Sequence, residues 1–150
     1  MDELTEGEPR AVVVENALRK ARAVAGGRVL GVDTEVVLGS ELLGKPADQA
    51  DAEAFLRRLS GRDHEVMSGI ALVEGGREQS DVSFTKVRFR ALSEREIAWY
   101  LASAEWRERA GGYAIQGRGA ALVEAIEGDY WNVVGLPLPA LLRLCHALLD

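Results

Sequence analysis

The stretch RVLGVDTEVVL, residues 28–38, decides how this chain is read. Its β-branched and apolar residues predict a strand, in which side chains alternate between two faces. Leu30, Val32, Thr34, Val36 and Leu38 share one face, and Val29, Gly31, Asp33, Glu35 and Val37 share the other. Asp33 therefore stands where an apolar side chain is expected. An ionised carboxylate in an apolar interior is costly, so it is normally paired, hydrogen-bonded, metal-bound or protonated. Either Asp33 belongs to a site, or it lies at a strand end and caps a turn.

Downstream, Gly39-Ser40 turns the chain into Leu42-Leu43 and then GKP, where Pro46 biases Lys45 to an extended conformation. Asp48 can cap a helix carrying Ala52, Phe55, Leu56 and Leu59, with Gly61 just beyond its end. Upstream, Pro9 and Gly26-Gly27 bracket a helix whose apolar stripe is Val14, Ala17, Leu18, Ala21 and Ala25. Lys20 lies beside that stripe, in line with Val13, Ala17 and Val24. It either snorkels to water or points into a cleft.

Residues 64–73 and 80–89 read as a hairpin around Gly75-Gly76. Lys86, Arg88 and Arg90 alternate along it as a basic row, the pattern of a solvated face or a protected edge. Ser93 and Glu96 form a capping box for a helix bearing Ile97, Tyr100 and Leu101. Residues 108–119 place four glycines around Tyr113, Ile115 and Gln116, a loop able to present N–H groups to a phosphate or a base. It matches neither the P-loop nor the dinucleotide fingerprint. A strand pair, 121–126 and 130–134, then turns at Gly128-Asp129, and a helix after Pro137 buries Leu141, Leu142, Cys145 and Leu148.

A chain of 150 residues with 47% hydrophobic content fits a single domain with a real core. The net charge of -6 argues against a duplex nucleic acid partner, and a small anionic substrate would need a local basic pocket. The single cysteine, Cys145, rules out an intrachain disulfide and a multi-thiolate metal site, and reads as a core thiol. No apolar run is long enough to span a bilayer, and the acidic, polar first residues are unlike a signal peptide. Both point to a cytoplasmic protein with no membrane partner. His64 and His146 belong to no HExxH, and GxSxG is absent, which leaves carboxylate and lysine chemistry. Carboxylates suit hard cations such as Mg2+ or Mn2+, and these suit phosphate substrates.

The ordered segments ALRKARAV, GVDTEVVL, LGKP, RLSGRDHEV, GGYAIQGRGA and IEGDYWNVVGLPL resemble the Maf family of nucleoside triphosphate pyrophosphatases over essentially the whole chain. The resemblance implies an α/β fold like that of inosine triphosphatases, an elongated mixed sheet flanked by helices in two lobes with a central cleft. It implies hydrolysis of a nucleoside triphosphate to monophosphate and pyrophosphate, a house-cleaning role, with a divalent cation (Mg2+ or Mn2+). Asp33 matches the aspartate assigned as general base or metal ligand. Lys20 and Lys45 match lysines facing the triphosphate, and Glu3, in the acidic pair Asp2-Glu3, stands near the metal. Gln116 and Thr34 match the branch acting on dTTP and UTP rather than the one acting on methylated GTP, and Ser68 replaces a common Thr. Family members are often dimers and are also associated with arrest of septum formation, so a non-catalytic nucleotide-binding member is the alternative. The family pattern opens with a strand and an S-x-x-R phosphate loop, whereas this chain opens at about the Asp-Glu pair. The expectation is a start codon assigned too far downstream, the alternative being a truncated or degenerate member.

Overall fold

The computed structural model describes residues 3–150. Asp2, the first of the acidic pair, lies outside the described residues. Among the described residues five strands form one sheet in the order β2-β1-β3-β4-β5, comprising β1 (Arg28–Leu38), β2 (Glu41–Leu43), β3 (Asp63–Glu74), β4 (Arg77–Phe89) and β5 (Val123–Gly128). The pairs β1–β2 and β4–β5 are antiparallel, with Val36 opposite Leu43 and Lys86 opposite Glu127. Among the described residues five α-helices accompany the sheet: α1 (Pro9–Arg22), α2 (Gln49–Leu59), α3 (Glu94–Ala102), α4 (Tyr130–Val134) and α5 (Leu138–Leu144). The α/β expectation holds. No helix among the described residues is long and apolar enough to cross a membrane.

The chain divides into two compact units. The first holds the residues up to Thr34, Met67–Phe84 and Asp129–Asp150. Here α1 lies directly on two strand glycines. A Cβ on Gly31 would overlap the Ala17 carbonyl, and one on Gly69 would overlap the Val13 carbonyl and approach Val14 N to 2.7 Å. Ala17 and Ala21 pack with Ala71 on that face, flanked by Val29 and Val73. One residue along each strand the direction reverses, and Ile70 packs with Ala140 and Leu141 of α5, flanked by Val32. Asp33 shares its strand face with Gly31 and so points to α1.

This close approach sets the rotation of α1 and corrects its expected stripe. The buried residues are Val12, Val13, Asn16, Ala17 and Ala21, whereas Val14 and Leu18 are half-buried and Ala25 is exposed beyond the helix end. Residues 130–134 are helical rather than a strand. Asp129 caps that turn by accepting from Trp131 N–H at 2.9 Å, and Gly135 at φ 124 ends it. Five residues carry too little periodicity to outweigh a cap. In the C-terminal segment Leu141 and Cys145 are buried, Leu142 is half-buried and Leu148 is exposed, because α5 stops at Leu144.

The second unit holds Glu35–Val66 and Thr85–Gly128. Asp48 caps α2, and Ser93 with Glu96 forms the expected capping box of α3. The basic row is solvated and paired: Arg88 meets Asp63 at 2.7 Å and Arg90 meets Glu96 at 2.8 Å. Because β4 lies between β3 and β5, the row is not edge protection. His64, Phe89 and Tyr113 form an edge-to-face cluster, with His64 Nε2 and Tyr113 Oη 2.6 Å apart.

Burial pushes the His64 pKa down to about 4, only partly countered by the charge of Asp63, and leaves its Nδ1 without a hydrogen-bond partner among the described residues. Burial likewise raises the Tyr113 hydroxyl above its ordinary range, so the pair is neutral. An unfolded chain takes up the proton near the ordinary value of 6.5, and the folded one only near 4. The stabilisation is therefore complete above that ordinary value and is lost as pH falls toward 4. The loss is on the order of 3 kcal/mol. Urea unfolding at pH 7 and pH 4.5 checks this, since His64→Phe should show a smaller acid-dependent drop than the parent protein.

Candidate active site

Asp33 is 4% exposed and stands at the centre of a polar cluster in the first unit. Its Oδ1 accepts from Lys20 Nζ at 2.9 Å and its Oδ2 from Asn16 Nδ2 at 3.2 Å. Lys20 Nζ also lies 3.1 Å from Glu3 Oε1 and donates to the Val32 carbonyl at 3.3 Å. A buried carboxylate removed alone from water would cost several kcal/mol, and the ammonium with the amide compensates it. The turn-cap reading of Asp33 fails, because its partners come from a helix packed on the strand. The snorkelling reading of Lys20 fails too: its ammonium turns inward to two carboxylates.

Burial lowers the affinity of Lys20 for its proton, but the hydrogen bond and charge of Asp33, followed by those of Glu3, outweigh it. Its pKa stands above the ordinary 10.5. The sequence pattern could not specify this geometry, because its cause combines helix spacing with non-local contacts. Asn16 and Lys20 are four apart on α1, one turn of the same face, and the glycine contacts bring that face to β1.

Thr34 Oγ1 and Ser68 Oγ are 2.7 Å apart, joining the neighbouring strands β1 and β3. Each hydroxyl has one donor and two acceptor positions, so this bond leaves capacity at Thr34. Ser68 thus presents a hydrogen-bonded hydroxyl to Thr34.

Two of the expected site residues, Lys45 and Gln116, belong to the second unit. Lys45 is exposed after β2, and the preceding Gly44 carbonyl accepts from Gly111 N–H at 3.1 Å. This bond ties the GKP turn to the glycine-rich segment. Gln116 is exposed and lines a pocket of about 290 Å³ with Glu105, Arg107 and Arg109. Three of the loop's N–H groups are committed within the protein rather than offered to a phosphate or a base. Glu105 already accepts from Arg118 N–H at 3.0 Å and Gly119 N–H at 3.3 Å, and Ala114 N–H is bonded to Tyr100 Oη at 2.8 Å. Glu105 and Tyr100 thus hold the turn that carries Gln116.

Two residues escaped the sequence reading. Glu105 showed no local signal, since its partners are 13 and 14 residues away. Asn16 had a signal, an amide in the middle of an apolar helical stripe, a position where Asn is a poor helix former. As to a metal, no group of three or more His, Cys, Asp or Glu side chains is arranged to hold one among the described residues. Glu3 and Asp33 converge on one positive charge, that of Lys20. Two carboxylates fit Mg2+ or Mn2+ arriving with a phosphate substrate, because such ions take one or two protein carboxylates and complete their shell with water and phosphate oxygens.

The chain is an α/β protein whose first unit carries a lysine-bridged acidic pair, and comparison with known proteins gives its family. The model of the family of Maf-like proteins matches residues 1–148, and the chain belongs to that family. It is similar to a protein of Symbiobacterium thermophilum named dTTP/UTP pyrophosphatase, 54% identical over 134 residues that cover 87% of this chain and 69% of that one. Proteins of the same name from Deinococcus radiodurans and Pyrococcus furiosus are 48% and 43% identical, covering 93% and 95% of this chain and 73% and 77% of theirs.

Proposed function

We propose that this protein hydrolyses dTTP and UTP to the nucleoside monophosphate and pyrophosphate, and that it does so in the cytoplasm, where those nucleotides are made and used. The observation that carries this reading is the Lys20-bridged pair of Asp33 and Glu3 in a chain 43 to 54% identical to three proteins named dTTP/UTP pyrophosphatase.

The reaction breaks the anhydride bond between the α and β phosphates. Water supplies the attacking oxygen, its proton passes to a base, and the bridging oxygen departs with pyrophosphate. Asp33 is the base: each of its oxygens makes one charge-assisted or amide bond, and a carboxylate has roughly four acceptor positions. Lys20 orients that carboxylate and supplies positive charge to the phosphates. On the second unit Lys45 is a phosphate contact that absorbs leaving-group charge. Glu3 and Asp33 would hold Mg2+ or Mn2+, which when bound neutralises phosphate charge and polarises the phosphoryl oxygens. Thr34 contacts substrate through the acceptor positions that Ser68 leaves open.

Gln116 reads the pyrimidine edge, since its amide both donates and accepts. Its exposure and the Glu105-held turn beside it support that role. The test is pyrophosphate release from dTTP, UTP and GTP with Mg2+ or Mn2+. The reading predicts release from the two pyrimidine nucleotides well above that from GTP, and a Gln116→Ala variant that loses roughly 10-fold or more of this discrimination. A folded protein that releases none from any of them is a binding protein instead.

A further inference from the structure

We infer that Asn16 is the positioning residue of this site, clamping the segment that carries Glu3 and one oxygen of Asp33 so that the two carboxylates flank Lys20. The inference rests on the pyrophosphatase reading and extends it.

Asn16 is fully buried in the middle of a helix, where an apolar residue would suit the packing better. Its amide is used on both sides. Oδ1 accepts from Leu4 N–H at 2.7 Å, while Nδ2 donates to the Leu4 carbonyl at 3.0 Å and to Asp33 Oδ2 at 3.2 Å. The side chain thereby pairs with Leu4 as one peptide pairs with another. This pairing fixes its orientation, because a flipped amide would set its donor against the Leu4 N–H.

Leu4 adjoins Glu3, so the clamp fixes the backbone from which Glu3 reaches Lys20 at 3.1 Å. All three bonds need a carboxamide, with an acceptor and two donors on one short side chain. Aspartate would place a second carboxylate against Asp33, and leucine would leave the Leu4 N–H, the Leu4 carbonyl and Asp33 Oδ2 without their partner. Asn16 acts through Asp33 and Glu3: it holds one carboxylate oxygen and the backbone beside Glu3.

The test is Asn16→Leu in the full chain, with Asn16→Ser as a second variant should the first fold poorly, measured well below the unfolding temperature. The expected result is a roughly 10- to 100-fold fall in kcat for dTTP with KM little changed, the size usual for loss of a group supporting active-site ligands. Exchange of the Leu4 amide hydrogen should accelerate in the same variant. A residue with a structural role alone would lower the unfolding temperature and leave kcat of the folded protein as it was, and that result overturns the proposal. Should the parent protein release no pyrophosphate, the pyrophosphatase reading fails by itself, and amide exchange decides the clamp. Faster Leu4 exchange in the variant upholds it, and unchanged exchange overturns it.

Discussion

Asp33→Asn lowers pyrophosphate release by roughly 10²- to 10⁴-fold, the contribution of a positioned general base. The replacement preserves size, but it substitutes a donor for an acceptor where Asn16 already donates. The Asn16 amide cannot flip to accommodate it, because both of its ends are committed to Leu4. The new carboxamide can still accept from Lys20 while its NH2 meets the Asn16 NH2. One donor therefore loses its partner, at a cost on the order of 1 to 3 kcal/mol. Lys20 keeps Glu3 and the Val32 carbonyl, so the fold survives. Circular dichroism and a urea midpoint measured beside the rate separate the two effects. A folded Asp33→Asn protein with parental turnover would refute the role.

Gly69→Ala has the largest expected effect on stability. Its methyl would overlap the Val13 carbonyl and crowd Val14 N at 2.7 Å, both backbone atoms of α1, which cannot move aside as a side chain can. Overpacking of this kind costs about 1 to 3 kcal/mol and sometimes more, and here it lifts the helix that carries Asn16 and Lys20. The urea midpoint and the activity of the folded fraction should fall together. Gly27→Ala is the control, since nothing lies within 4 Å of a Cβ there; it should stay within about 0.5 kcal/mol of the parent. A Gly69→Ala protein as stable as that control would show that α1 does not depend on this contact.

These two positions show how far the sequence could be read. Residues 28–38 form the strand that their alternation predicted, and the same period placed Asp33 and Gly31 on one face. The Ser93 capping box was legible because its bonds span three residues. What escaped was non-local. The rotation of α1 follows from contacts with Gly31 and Gly69, the second more than 50 residues further along the chain. The amide of Asn16 acquires its meaning from Leu4, 12 residues away, and Asp33, 17 away. The commitment of the glycine-rich loop to Glu105 could not be read from the glycines. Lys45 and Gln116 were assigned to the site through family resemblance, and both are exposed on the second unit.

The most direct measurement is the identity of the products when the folded protein meets dTTP and Mg2+, followed by phosphorus NMR. The account predicts dTMP and pyrophosphate growing in equal amounts, with both signals suppressed in Asp33→Asn. Appearance of dTDP with orthophosphate, or dTTP left intact by the folded protein, would contradict it.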